Sequence, residues 1–165
     1  MSNSNWLPWI QQQLLAQDIL TQTPEMPKPY EPNYESWLSV LNQFTINKNT
    51  VLIGHSCGAG FLVRWLTESD IRVNKIILVA PWLDPLDTIK MFSGFLTGVN
   101  LTDKTINGIT VFNSDDDDET VQKTVEVIRE SNPDIKYQEF HNYGHFVTKH
   151  MGTKEFPELL KESIS

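Results

Sequence analysis

Apolar positions along the chain follow two rhythms, one helical and one of short continuous runs. Trp6, Trp9, Ile10 and Leu14 recur at helical spacing and predict a helix over 7–17, with Pro8 accommodated in its first turn. Trp37, Leu38, Leu41 and Phe44 predict a second helix, for which Asn33 is a suitable N-cap. Between the two, Ile19 and Leu20 suggest the start of a short strand. The prolines at 24, 27, 29 and 32 then forbid regular structure and predict an extended surface loop. Continuous apolar runs of buried-strand type follow at Val51–Ile53, at Lys75–Ala80 (stopped by Pro81) and at Ile109–Phe112, with a weaker alternating run at Ile135–Phe140. Helical patterns separate them: 59–66 carrying Phe61, Leu62, Trp65 and Leu66, a short one over 88–96 inside an otherwise irregular stretch, and 119–129 with Val121, Val125 and Ile128 on one face. A last helix is predicted over 155–164. Strands alternating with helices specify an α/β protein, a mostly parallel sheet with helices on both faces.

Composition narrows the function classes. A length of 165 residues is most simply one domain, 1–165, large enough for a substantial core. No apolar run reaches the length of a membrane span, and the N-terminus lacks the charged-then-apolar layout of a secretory signal. A net charge of −8 argues against nucleic acid or an anionic membrane as partner, because both need clustered Lys and Arg. The single cysteine excludes an internal disulfide and fits a cytoplasmic setting. Nothing in the pattern calls for a cofactor or metal; the expected partner is a small-molecule substrate.

The chemistry centres on Gly54-His55-Ser56-Cys57-Gly58, placed directly after the first apolar run and directly before a helix. This is G-x-S-x-G in the strand–turn–helix setting that a nucleophile elbow requires. Ser56 at the tip of such a turn holds its hydroxyl clear of the backbone, and side chains at Gly54 and Gly58 are expected to clash across it. The Cys57 amide, at a helix N-terminus, faces the place where an oxyanion forms. A serine needs a base, and the base needs an orienting acid. His145 follows the fourth strand behind Gly144 and is the expected base; His55, inside the turn, cannot fold back onto its neighbour's hydroxyl. For the acid the residues leave several choices: Asp115, Asp116, Asp117 and Asp118 follow the third strand, and Asp84 follows the second. Four adjacent carboxylates suit a helix start, one turning inward while the others stay solvated. Trp82, Phe92 and Phe95 are candidates for an apolar acyl pocket.

Taken together, Gly54–Gly58, Phe112–Asp117 and Gly144-His145-Phe146 resemble the small serine hydrolases that include retinoblastoma-binding protein nine and its bacterial relatives. The early Trp6/Trp9 helix, the proline-rich loop and the Trp37 helix resemble that family too. The resemblance implies a compact three-layer α/β-hydrolase-like fold without a large lid. It further implies an activity on small acyl esters or amides, with Ser56 as nucleophile, His145 as base and Asp117 as acid, Asp116 being the next choice. Two departures stand out. Family members carry proline after their paired aspartates, where this chain has Asp118. They also begin with a strand and a His-Gly type loop ahead of the first tryptophan, and here that strand is absent. The loop normally supplies a second oxyanion donor, whose loss costs about 10²–10³ in rate. The absent strand implies an open sheet edge or a place that another strand must fill, and with it a shortened sequence, a weakened enzyme, or a homodimer that shares a strand. The alternative to a hydrolase is therefore a catalytically weak or inactive protein of the same fold that serves as a binding module. Thiol chemistry at Cys57 is the least favoured reading, because a side chain after the nucleophile packs inward.

Overall fold

A computed structural model describes residues 4–93 and 99–165. Helix α1 (Leu7–Leu15) and helix α2 (Tyr34–Leu41) precede the sheet, and Asn33 caps α2 by accepting the Ser36 amide at 3.0 Å. Strand β1 (Val51–His55), helix α3 (Cys57–Glu68), strand β2 (Lys75–Val79), strand β3 (Ile109–Ser114), helix α4 (Glu119–Ser131) and strand β4 (Lys136–Phe140) follow. The short helix α5 (Thr148–Met151) and helix α6 (Pro157–Ile164) complete the described chain. All strand pairings are parallel, in the order β1-β2-β3-β4. Right-handed crossovers in a sheet of this order place α3 and α4 on one face. Helices α1 and α6 pack together, and Phe156, just before α6, lies against Phe112 of β3 and Phe140 of β4. The α/β architecture read from the sequence is the architecture found.

Burial follows strand position. Every residue of β2 and β3 is buried, as interior strands covered on both faces must be. Strand β1 pairs with β2 alone among the described residues, and its burial alternates between half-buried and buried positions. It is an edge strand.

Several local expectations are corrected. Ile19 and Leu20 form no strand; they are 40% and 83% exposed beyond the end of α1, with no neighbouring strand to pair with. The helix expected over 88–96 is a single 3₁₀ turn at Lys90–Phe92, and its remainder runs into 94–98, outside the described residues. Gly58 was expected to be sterically required, yet a Cβ there meets nothing within 4 Å. The tight position is Gly60. A Cβ on that residue would lie 2.1 Å from the Trp82 carbonyl oxygen and 3.0 Å from the Phe92 ring. Gly60→Ala is thus expected to cost about 1–3 kcal/mol. Gly58→Ala should be neutral or stabilise by up to about 1 kcal/mol through helix propensity. Urea midpoints of the two variants measure the contrast.

At the end of the sheet away from the elbow, Lys75 and Glu162 are both 5% exposed. Lys75 Nζ donates to Glu162 Oε1 at 3.3 Å and to the Glu162 carbonyl at 3.1 Å, and Thr110 Oγ1 donates to Glu162 Oε1 at 2.7 Å. Burial alone would push the Glu162 carboxyl up, but Lys136, Thr110 and Lys75 outweigh it and hold it below the usual range. A buried charge is tolerable only when paired in this way, and the pairing anchors α6 to β2 and β3.

Candidate active site

The turn after β1 is strained. Ser56 adopts φ 54°, ψ −126°, a region that L-residues rarely enter and that persists only where surroundings impose it. The surroundings do so. Ser56 N donates to the Val79 carbonyl at 2.9 Å, while the Ser56 carbonyl accepts the amides of Gly60 (3.1 Å) and Trp82 (3.2 Å). A Cβ on Gly54 would sit 2.5 Å from the Ala59 Cα, so strand and helix can approach only because position 54 is glycine. Cys57 is the first residue of α3, where its amide has no acceptor within the helix and stands at the positive end of the dipole. Its thiol is pushed up to about 12 by burial and, next, by the Asp84 carboxylate, which leaves it a poor nucleophile at neutral pH.

Three elements meet at the Ser56 hydroxyl. Ser56 Oγ donates to His145 Nε2 at 2.7 Å, and His145 Nδ1 donates to Asp117 at 2.9 Å (Oδ2) and 3.0 Å (Oδ1). The Asp117 side chain is 3% exposed and that of His145 29%. Both ring nitrogens are therefore engaged in one line from carboxylate to hydroxyl.

The four aspartates have four different partners. Asp115, exposed, bonds His141 Nδ1 at 2.6 Å and raises that imidazole's proton affinity. Asp116 Oδ1 accepts from Ser114 Oγ (2.6 Å) and from the Gly144 amide (2.9 Å), which hold its carboxyl below the usual range. Asp117 meets His145. Asp118 caps α4 by accepting the Thr120 hydroxyl (2.6 Å) and amide (2.9 Å), and its carboxyl is also held low. The structure brings Asp117 to the histidine and leaves the alternative acid, Asp116, on the loop backbone. Asp84 is not at the histidine either: it is buried within its own turn, accepting Thr88 Oγ1 at 2.7 Å and the Ile89 amide at 2.5 Å.

The histidine loop is held by side chains that nothing in the sequence singles out as its braces. Trp6 Nε1 donates to the Phe146 carbonyl at 3.0 Å, and Asn5 Oδ1 accepts the Thr148 amide at 3.0 Å. His55 Nε2 donates to the His145 carbonyl at 2.8 Å, its ring 5.7 Å from Trp6 and 5.0 Å from His145. Their separations of 90 to 143 residues from the loop leave no local signal. Burial, and then the neighbouring His145, lower the His55 imidazole from 6.5 to about 4. The unfolded chain therefore takes up a proton between pH 6.5 and about 4 that the folded protein refuses. Stability should be complete above this window and fall as pH drops through it, by about 3 kcal/mol in all. Chemical-denaturation midpoints in neutral and in mildly acidic buffer should differ by less in His55→Gln than in the wild type.

Ser56 and His145 open into a cleft of about 640 Å³, whose apolar wall includes Trp82, Ile89, Pro29 and Val121. The size suits a small organic ligand. Of the pocket residues expected, Trp82 lines this cleft. Phe92 is buried behind it, edge-on to Trp82 at 6.0 Å, and does not line it; Phe95 lies outside the described residues. Among the described residues no group of three His, Cys, Asp or Glu side chains is arranged to hold a metal ion, and no helix is long and apolar enough to cross a membrane.

Comparison with known proteins places this geometry in a context. The profile of a family described as serine hydrolase matches residues 1–162. The YdeN protein of Bacillus subtilis strain 168 is 35% identical over 101 residues, which is 59% of this chain and 53%, about half, of the relative's own length. The solved structure of the B. subtilis ydeN gene product superposes with a TM-score of 0.77 at 26% identity, covering 98% of this chain and 89% of that one. A YdeN-like protein of Pectobacterium atrosepticum superposes at 0.71 with 16% identity over 97% of this chain and 80% of its own. An α/β hydrolase from a lagoon-sediment metagenome superposes at 0.57 with 18% identity over 84% and 74%. At these lower identities the likeness is one of fold.

Proposed function

The chain belongs to the serine hydrolase family, and we propose that it cleaves small acyl esters or amides through an acyl-enzyme on Ser56. One observation carries the reading: the unbroken line from Asp117 through His145 to the Ser56 hydroxyl, with contacts of 2.9 Å and 2.7 Å. As the Ser56 oxygen attacks the acyl carbon, its proton passes to His145 Nε2. Asp117 holds Nδ1–H, fixing the tautomer and stabilising the imidazolium. The carbonyl oxygen, now an oxyanion, lies against the Cys57 amide. Collapse of this intermediate expels the alcohol or amine, which takes the proton from His145. A water then repeats the sequence on the acyl-enzyme and restores Ser56. The acyl group rests against the apolar wall at Trp82 and Ile89. Within the family, the likeness to retinoblastoma-binding protein nine and its bacterial relatives is part of this proposal.

A fluorophosphonate probe tests it directly. Labelling of the wild type that is lost in Ser56→Ala and in His145→Ala supports the reading; a folded wild type that is never labelled refutes it. The second reading is a catalytically weak protein of the same fold that binds rather than cleaves. It is favoured by the open outer edge of β1 among the described residues. An acyl-enzyme burst from an aryl ester that vanishes in Ser56→Ala is incompatible with it.

A further inference from the structure

His145 is bracketed by two other histidines that use opposite chemistry. On its carbonyl side His55 donates through Nε2. On its amide side His150 accepts: the His145 N–H points to His150 Nδ1 at 2.9 Å. Only an unprotonated Nδ1 has the lone pair this bond needs, so the proton of neutral His150 sits on Nε2. His150 is an exposed residue, and one side of its ring packs on the histidine loop. The ring lies close against Gly144, where an added Cβ would come within 2.4 Å of His150 Nδ1 and 2.8 Å of Cγ. Gly144 itself is fixed at φ +48°, with its amide held by Asp116. Protonation affects the two brackets differently. A charged His55 keeps its Nε2–H and its bond. A charged His150 turns an acceptor into a donor, and two N–H groups then face each other.

We propose that neutral His150 is a positioning residue for His145, and that its protonation releases the main-chain amide that sets the base over Ser56. Full activity then requires two deprotonated histidines rather than one. The titratable groups around the ring are the Asp116 carboxylate and the Asp117, Asp118 and His145 side chains that share its cleft, with Lys149 beside it on α5. The proposal rests on the hydrolase reading for its kinetic arm and on geometry alone for its structural arm.

The kinetic arm is the acid limb of kcat/KM for p-nitrophenyl acetate. In the wild type the acid limb should carry, beyond the unit slope of a single ionisation, an extra fall of about tenfold as the His150 acceptor is lost. His150→Leu, which offers no acceptor, should lower kcat/KM about tenfold at every pH, the effect of one lost hydrogen bond, with an acid slope of one. His150→Asn places an acceptor oxygen near the Nδ1 position and does not titrate, so it should recover most of what the leucine variant loses and keep the slope of one. An extra tenfold fall that survives in His150→Asn, or wild-type kcat/KM in His150→Leu, overturns the proposal. The structural arm uses Ser56→Ala protein and needs no turnover. By NMR, the His145 amide proton should shift with the midpoint of the His150 ring and lose that shift in Ser56→Ala/His150→Asn. An amide that follows only its own ring overturns the proposal. Absence of all esterase activity would count against the hydrolase reading, while the NMR arm still decides the role of His150.

Discussion

Ser56→Ala and His145→Ala should each lower kcat for an aryl acetate by about 10⁴–10⁶-fold, and the double variant should be scarcely worse than either alone. The non-additivity follows from the geometry. At 2.7 Å the hydroxyl and Nε2 share one proton, so the serine without its base is an ordinary alcohol and the base without its serine has nothing to activate. What survives in all three variants is the Cys57 amide at the N-terminus of α3 and the apolar wall of the cleft, neither of which depends on the pair. Steady-state hydrolysis at high enzyme concentration, with far-UV circular dichroism to establish folding, reads the effect. Additive losses would mean that the two residues act in separate steps, and the proposed proton transfer would be wrong.

The parts of this arrangement that are legible in the sequence are the locally encoded ones. A buried parallel strand needs a continuous apolar run, and the cores of Lys75–Val79 and Ile109–Ser114, both buried throughout, supply it. The elbow is equally local. Its positive φ and the contact between residues 54 and 59 are set within six positions, so glycine at 54 and serine at 56 announce it. The expectation for Gly58 failed because the close approach falls instead between Gly60 and the Trp82 carbonyl, a contact with the segment after β2 that spacing within the motif does not reveal. The same limit governs the acid. Asp115 to Asp118 are equivalent as sequence; they become distinct only when His141, Gly144, His145 and Thr120 arrive from the loop after β4 and from α4. The braces on the histidine loop are further still from local. In the sequence Trp6 is one position of a helical pattern and Asn5 belongs to the polar stretch before it, yet they hold the backbone at Phe146 and Thr148.

Asp117→Asn is expected to reduce kcat by about 10⁴-fold, whereas Asp116→Asn should cost no more than about tenfold. The difference comes from what each carboxylate holds. Asp117 receives the Nδ1–H of His145 and so leaves Nε2 free to take the serine proton; an amide there can donate to Nδ1 and stabilise the opposite tautomer, with the proton on the wrong nitrogen. Geometry can be preserved and the chemistry still fail. Asp116 plays another part. Its Oδ1 accepts the Gly144 amide and the Ser114 hydroxyl, both neutral donors that an asparagine oxygen can also satisfy. Its substitution weakens the anchorage of the histidine loop without touching the tautomer. Because Asp116 is held well on the anionic side by those two donors, removing its charge also removes a little stability that is present at neutral pH and lost in acid, as the folded carboxyl takes up its proton. Steady-state kinetics at neutral pH on both variants, each compared with Ser56→Ala as a floor, distinguishes them. Equal losses at 116 and 117 would mean that the two carboxylates share the role of acid, and a larger loss at 116 would transfer it there.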